Sequence, residues 1–150
     1  MRLEEIVQIA PEAAAERLRR GALYLDVRTP EEFEEGHPEG AWNLPVQLRS
    51  PAGGLQDNPE FEALAAVHLD PTRELVVGCR SGPRAERAAS LLAGRQSAPL
   101  AVMRGGMEGR RDAFGALEAP GWKQSGLPIA YDDEGSYDAL RARPAIRSQE

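Results

Sequence analysis

Cysteine is almost missing from this chain. Cys79 stands alone among 150 residues, so no internal disulfide can form, and one thiolate cannot supply a zinc cage. Histidine is nearly as sparse: with His37 and His68 as the two histidines beside one cysteine, no metal site and no metal cofactor are expected. Long apolar runs are absent as well. None approaches the roughly 18 residues needed to span a bilayer, and Glu4 and Glu5 stand where a secretory signal would place basic and then apolar residues. These absences make the cytoplasm the expected compartment. Positive charge is in deficit too: 18 Lys and Arg face 24 Asp and Glu, for a net charge of −6. Such a field repels phosphates and argues against general binding of nucleic acid or anionic membrane. An anionic ligand needs local basic residues.

What is present suits one globular unit. Hydrophobic residues make up 41% and charged residues 28%, with 15 Gly and 12 Pro, which excludes fibres and low-complexity chains and allows one core. The expected domain covers residues 1–130. Residues 131–150 read as a polar tail, an appendage or disorder with one helical turn near Asp138 to Arg141.

The apolar pattern alternates between two periods, so the chain switches between strand and helix. Pro11 opens an alanine-rich helix to Arg20. Ala22 to Val27 is short and continuously apolar, as a buried parallel strand is, and it delivers Asp26 and Arg28 at its end. Thr29-Pro30-Glu31-Glu32 supplies an N-cap, a proline at the first helical position and acidic side chains for the positive helix end. Ala41 to Leu44 reads as a brief strand, Ser50 to Pro59 as a surface loop, and Pro59 to Val67 as a helix. Glu74 to Gly78 is a second buried strand, followed by Cys79 and then by a helix pattern from Pro83 to Ala93. Pro99 to Met103 is a further strand, Gly105-Gly106 a turn, and Met107 to about Leu117 a helix. Repeated strand-then-helix units imply an α/β fold with a mainly parallel central sheet flanked by helices on both faces.

The surroundings of Cys79 decide how its thiol is read. A buried lone cysteine is ordinarily inert packing. This one follows a strand and precedes a helix, where unpaired amides and the positive end of the helix dipole favour a thiolate, in the crevice where open α/β sheets bind ligands. Arg80, Arg84 and Arg87 set three positive charges against the single Glu86. Gly82 permits the backbone angles that curl successive N–H groups into an anion-binding nest.

These residues reach a family. The stretch from Asp26-Val27-Arg28-Thr29-Pro30 through Gly36-His37-Pro38-Glu39-Gly40 to Asn43-Leu44-Pro45 resembles the N-terminal signature of rhodanese-like domains. Cys79-Arg80-Ser81-Gly82-Pro83-Arg84-Ala85 is similar to their active-site loop, and Arg104-Gly105-Gly106 with Trp122, Gly126, Leu127 and Pro128 resembles their C-terminal signature. The resemblance covers Ile6 to Ile129. It implies sulfur transfer through a Cys79 persulfide, with a small sulfur-containing anion such as thiosulfate, or a persulfide, as donor. A thiol, cyanide or a sulfur-relay protein would be the acceptor, and no cofactor is implied. Main-chain amides from Arg80 to Arg84, through Ser81, Gly82 and Pro83, would cradle the sulfur, and the Arg80 and Arg84 guanidinium groups would help hold a sulfonate-like group. The family motif makes Asp26 a hydrogen-bond hub, with Arg28 pairing to it or to an acid of the first helix, and makes His37 a fold-defining residue whose imidazole bonds to backbone. One departure stands out: Met107 occupies the place where the third signature carries a tryptophan, so the stretch to Trp122 reads as an insertion at the pocket rim.

Two rival readings remain. Phosphatases and arsenate reductases of the same fold place five residues between cysteine and arginine, whereas four, Arg80 to Pro83, intervene here, a shorter ring that suits a sulfur atom better than a phosphate. A non-catalytic binding module is the other, because fold alone does not dictate function.

Overall fold

The computed structural model describes residues 6–146. Glu4 and Glu5, and the last four residues of the expected tail, lie outside the described residues. Five short strands form one parallel sheet in the order β1-β7-β6-β2-β3: β1 (Val7–Ile9), β2 (Leu23–Asp26), β3 (Trp42–Asn43), β6 (Leu75–Gly78) and β7 (Leu100–Met103). Two further pairs, β4 (Gln47–Arg49) with β5 (Leu55–Asp57) and β8 (Arg110–Arg111) with β9 (Leu117–Ala119), are separate antiparallel hairpins.

The helices are α1 (Pro11–Arg19), α2 (Pro30–Glu34), α3 (Phe61–His68), α4 (Pro83–Leu92) and α5 (Tyr137–Ala142). They begin where local chemistry allows. Proline opens α1, α2 and α4, at the one position where a missing N–H is harmless. The first turn of α2 is locked by a reciprocal capping box between Thr29 and Glu32.

Residues of β2, β6 and β7 are buried on both faces, and alternation sorts them into two cores. Leu23, Leu25 and Val27, Leu75 and Val77, and Leu100 and Val102 pack with α3, α4 and α5. Tyr24, Val76 and Met103 pack with α1, Phe33 of α2 and Trp122. Helices therefore cover both faces of a parallel sheet. Among the described residues no helix is long and apolar enough to cross a membrane.

Three local expectations are corrected. Residues 107–117 form no helix: Gly109 and Gly115 take positive φ angles of 86° and 83°, and the chain turns into the β8–β9 hairpin, exposed from Arg110 to Glu118. An exposed stretch has no core against which a helical stripe could be stabilised. Within the expected surface loop from Ser50 to Pro59, Leu55–Asp57 pairs back onto Gln47–Arg49. The stretch after Tyr131 carries a helix where the turn near Asp138 to Arg141 is expected, but it is no loose appendage. Ser136 caps α5 through its side chain, Tyr137 and Leu140 are buried in the core, and Asn43 donates its backbone N–H to Gly135 at 2.7 Å. The Arg143 guanidinium lies 4.4 Å above the Trp42 ring, a cation–π contact that fastens the end of the helix.

Candidate functional site

Residues at the C-terminal ends of β2 and β6 build the site. These two central strands run in parallel register, Asp26 opposite Gly78, so Asp26 and Cys79 emerge at the same edge of the sheet. Cys79 continues the face of Leu75 and Val77 and is 1% exposed. Its sulfur nevertheless meets the loop: Sγ accepts the Gly82 backbone N–H at 3.0 Å. Gly82 takes φ 133° as the N-cap of α4, a conformation that a Cβ would strain. That angle turns its amide back to the sulfur.

The loop between Cys79 and α4 is held from outside. Met107 and Glu108 donate their backbone N–H groups to the carbonyls of Cys79 and Arg80, at 2.8 and 2.9 Å. Gly106 allows this approach, with φ 59°, and a Cβ there would collide with those same two residues. Gly106 thus lets the Met107 and Glu108 amides clamp the cysteine loop, while Gly105 packs against Ala119 and Pro120. The excursion that follows closes on itself, because Trp122 donates its amide to Gly106 at 2.8 Å and Lys123 donates to Met107. Met107 is buried where the resemblance leads one to expect tryptophan.

The charges around Cys79 are largely matched. Arg84 is held by Glu32, through hydrogen bonds of 2.7 and 2.9 Å, and Arg87 is paired with Asp57. Burial pushes the Glu32 carboxyl up, but the Arg84 guanidinium, followed by the Thr29 amide and hydroxyl, outweighs it and holds the carboxyl at about 2. Arg80 is exposed and, among the described residues, has no ion-pair partner. Beside the loop lies a cleft of about 300 Å³, into which Arg80, Arg49 and Thr29 converge with the Glu32–Arg84 pair, and Glu31 and Glu35 add two carboxylates to its wall. Arg49 was not singled out from the sequence, and Glu32 was read there only as an acid for the positive end of its helix. Each touches the cleft through a fold contact between distant segments, and nothing in the local pattern signals it. Ser81 is half-buried within the loop, and Pro83 opens α4 without an N–H to contribute.

Asp26 and Arg28 form a buried bidentate pair beneath the site. Arg28 Nε and Nη2 donate to the carboxylate at 3.0 and 2.7 Å, its backbone N–H adds a third bond, and Nη2 also reaches the Gly36 carbonyl. Burial drives the guanidinium down, and the Asp26 charge beside it raises it above its ordinary value. Neither residue meets the cleft. His37 lies at the other end of the same motif: it is fully buried, stacked on Phe33 at 3.7 Å, with Nδ1 3.0 Å from the Phe33 carbonyl. His68 is buried at the end of α3.

The arrangement sets a buried strand-end thiol, with an amide aimed at its sulfur and a helix N-terminus behind the loop, next to a cleft where Arg80 and Arg49 have no ion-pair partner among the described residues. Comparison with known proteins gives the family. A family model for the rhodanese-like domain matches residues 10–113. Thiosulfate sulfurtransferase 16, chloroplastic, of Arabidopsis thaliana is 37% identical over 115 residues, which cover 77% of this chain and 85% of that one. Thiosulfate sulfurtransferase 18 of the same plant is 40% identical over 91 residues, 59% of this chain and 66% of that one. The crystal structure of Rv0390 from M. tuberculosis matches with a TM-score of 0.66 at 27% identity, covering 83% of this chain and 97% of that one. By motif, by fold and by these matches, the chain belongs to the rhodanese-like domain family.

Proposed function

We propose that the protein is a sulfurtransferase that carries a sulfane sulfur on Cys79. The observation that carries this reading is the Gly82 amide set 3.0 Å from Sγ inside a loop only four residues long between Cys79 and Arg84. In the first step the Cys79 thiolate attacks the outer sulfur of thiosulfate. The sulfur–sulfur bond breaks, sulfite leaves with its electron pair, and Cys79 becomes an anionic persulfide. In the second step a nucleophile, either cyanide or a thiolate, attacks the outer persulfide sulfur and regenerates the thiolate. Splitting the transfer in this way replaces one difficult exchange by two displacements.

The protein's task is to hold negative charge on sulfur throughout. The Gly82 N–H and the first turn of α4 do so from behind the loop. Arg80 and Arg49, which have no ion-pair partner among the described residues, attract the anionic end of the donor against the Glu31 and Glu35 carboxylates of the same cleft. The names of the relatives, thiosulfate sulfurtransferases, support the same substrate class.

Intact-mass measurement tests the reading. Thiosulfate adds the mass of one sulfur atom, cyanide removes it, and Cys79→Ser abolishes the adduct. Failure of thiosulfate, polysulfide and glutathione persulfide to leave any adduct on the folded protein overturns it.

A further inference from the structure

The cleft beside Cys79 is balanced in charge: Arg49, Arg80 and Arg84 meet Glu31, Glu32 and Glu35 on its walls. The balance is unevenly shared. Glu31 and Glu35 are exposed and have no ion-pair partner among the described residues. Glu32 and Arg84 are locked on each other by hydrogen bonds of 2.7 and 2.9 Å, with side chains only 20% and 16% exposed.

The lock is firm from both ends. Glu32 Oε1 also accepts the Thr29 backbone N–H and hydroxyl, each at 3.1 Å, so the carboxylate cannot turn away without opening the cap of α2. Its carboxyl is held at about 2, which keeps it ionised at neutral pH. A two-pronged guanidinium–carboxylate contact is the strong form of an ion pair, and part-burial spares it much of the screening that weakens exposed pairs. Arg84 belongs to the first turn of α4, two positions after the glycine whose amide meets the Cys79 sulfur. A donor entering the cleft therefore meets Arg80 and Arg49 as open cations, and finds the third guanidinium occupied.

Charge decides what such a site takes. Coulomb attraction scales with the product of the charges, so withholding one cation weakens the hold on a dianion more than the hold on a monoanion. We propose that Glu32 is a positioning residue that sets donor selectivity: by occupying Arg84 it shifts the site away from dianionic sulfur donors such as thiosulfate and toward monoanionic ones such as persulfides and thiosulfonates. The inference rests on the sulfur-transfer reading above and extends it from the class of reaction to the charge of the donor.

Steady-state kinetics of the full chain with thiosulfate and methanethiosulfonate test it. The two donors are close in shape and differ by one charge. With the second, the Cys79 thiolate attacks the outer sulfur, the sulfur–sulfur bond breaks and methanesulfinate leaves with the electron pair. Glu32→Gln keeps a side chain able to close the capping box and loses the charge. KM should fall about tenfold for thiosulfate and about threefold for methanethiosulfonate, with kcat for each within about twofold, because the freed cation acts equally before and during reaction. Glu35→Gln makes the same change of charge at an exposed, unpaired carboxylate of the cleft and should lower KM for thiosulfate only about twofold. Adding Arg84→Ala to Glu32→Gln should return both KM values to within about twofold of the wild type. Equal responses of the two donors, equal effects of the two glutamine variants, or a gain that survives the loss of Arg84 overturns the proposal. Intact mass separates it from the reaction itself: a Cys79 adduct with an unchanged KM ratio removes the charge selection alone, and no adduct from either donor removes the sulfur-transfer reading and the selection with it.

Discussion

Glu32 grips Arg84 with both carboxylate oxygens, one on each terminal nitrogen, and so ties the start of α2 to the start of the helix that follows Cys79. The same carboxylate closes the capping box with Thr29. One side chain therefore sets the cap of one helix and the orientation of another, and it removes Arg84 from the pool of free cations at the sulfur site.

Acid should reveal this coupling. The Glu32 carboxyl lies at about 2 in the folded protein against an ordinary 4.5. A carboxyl held low in the folded state contributes stability that is complete above the ordinary value and is lost as pH falls through the folded one. Stability should fall between about pH 4.5 and pH 2, and Glu32→Gln should flatten that part of the curve. At neutral pH the variant should lose about 2 kcal/mol, because Arg84 is left part-buried without its partner. Denaturant midpoints measured at several pH values check both statements.

Arg80 is the exposed cation next to the sulfur. Arg80→Ala should raise KM for thiosulfate about fivefold and leave kcat within about twofold, since it removes an attraction felt equally before and during reaction. The KM difference between the two proteins should shrink in high salt. A KM that does not change assigns donor attraction to Arg49 alone.

Gly106 and Gly115 both take positive φ, at 59° and 83°, yet they should respond differently to alanine. At Gly115 a Cβ meets open space, so the cost is the backbone penalty of about 1–2 kcal/mol and sulfur transfer survives. At Gly106 the added carbon strikes the Cys79 and Arg80 backbone. Gly106→Ala should displace the loop and slow persulfide formation by about tenfold or more, a loss of about 1.4 kcal/mol or more in transition-state stabilisation. Parallel stability and sulfur-transfer assays separate the two.

Arg28→Ala should be the most destabilising of these changes. It leaves Asp26 as a buried charge with no cation beside it and only the backbone N–H of residue 28 as donor, in a pair whose side chains are 2% and 0% exposed. Breaking such a pair costs about 3–5 kcal/mol. Thermal unfolding checks this, and a loss under about 1 kcal/mol would falsify the assignment of the pair as the anchor beneath the site.

The sheet and its helices were legible because their signals are local. Pro11, Pro30 and Pro83 mark first helical turns, and the apolar runs ending at Val27, Gly78 and Met103 are too short and too uniformly buried for anything but parallel strands. The placement of Cys79 at a strand end was legible for the same reason. What escaped depends on contacts between distant segments. The three arginines near Cys79 read as a basic spot, yet Arg84 and Arg87 are neutralised by Glu32 and Asp57, 52 and 30 residues away. The stretch Met107 to Leu117 carries apolar residues that mimic a helical stripe, but Phe114 is 95% exposed. The helical turn near Asp138 to Arg141 was legible, but the charged residues around Tyr137 and Leu140 masked that these two side chains belong to the core.

The strand that carries Cys79 lies in the middle of the sheet, hydrogen-bonded to β7 on one side and β2 on the other. Elements enclosed in this way exchange their amide protons only when the whole molecule opens. The base of the sulfur seat thus has no fraying edge of its own, and heat inactivation should coincide with the loss of tertiary structure rather than precede it.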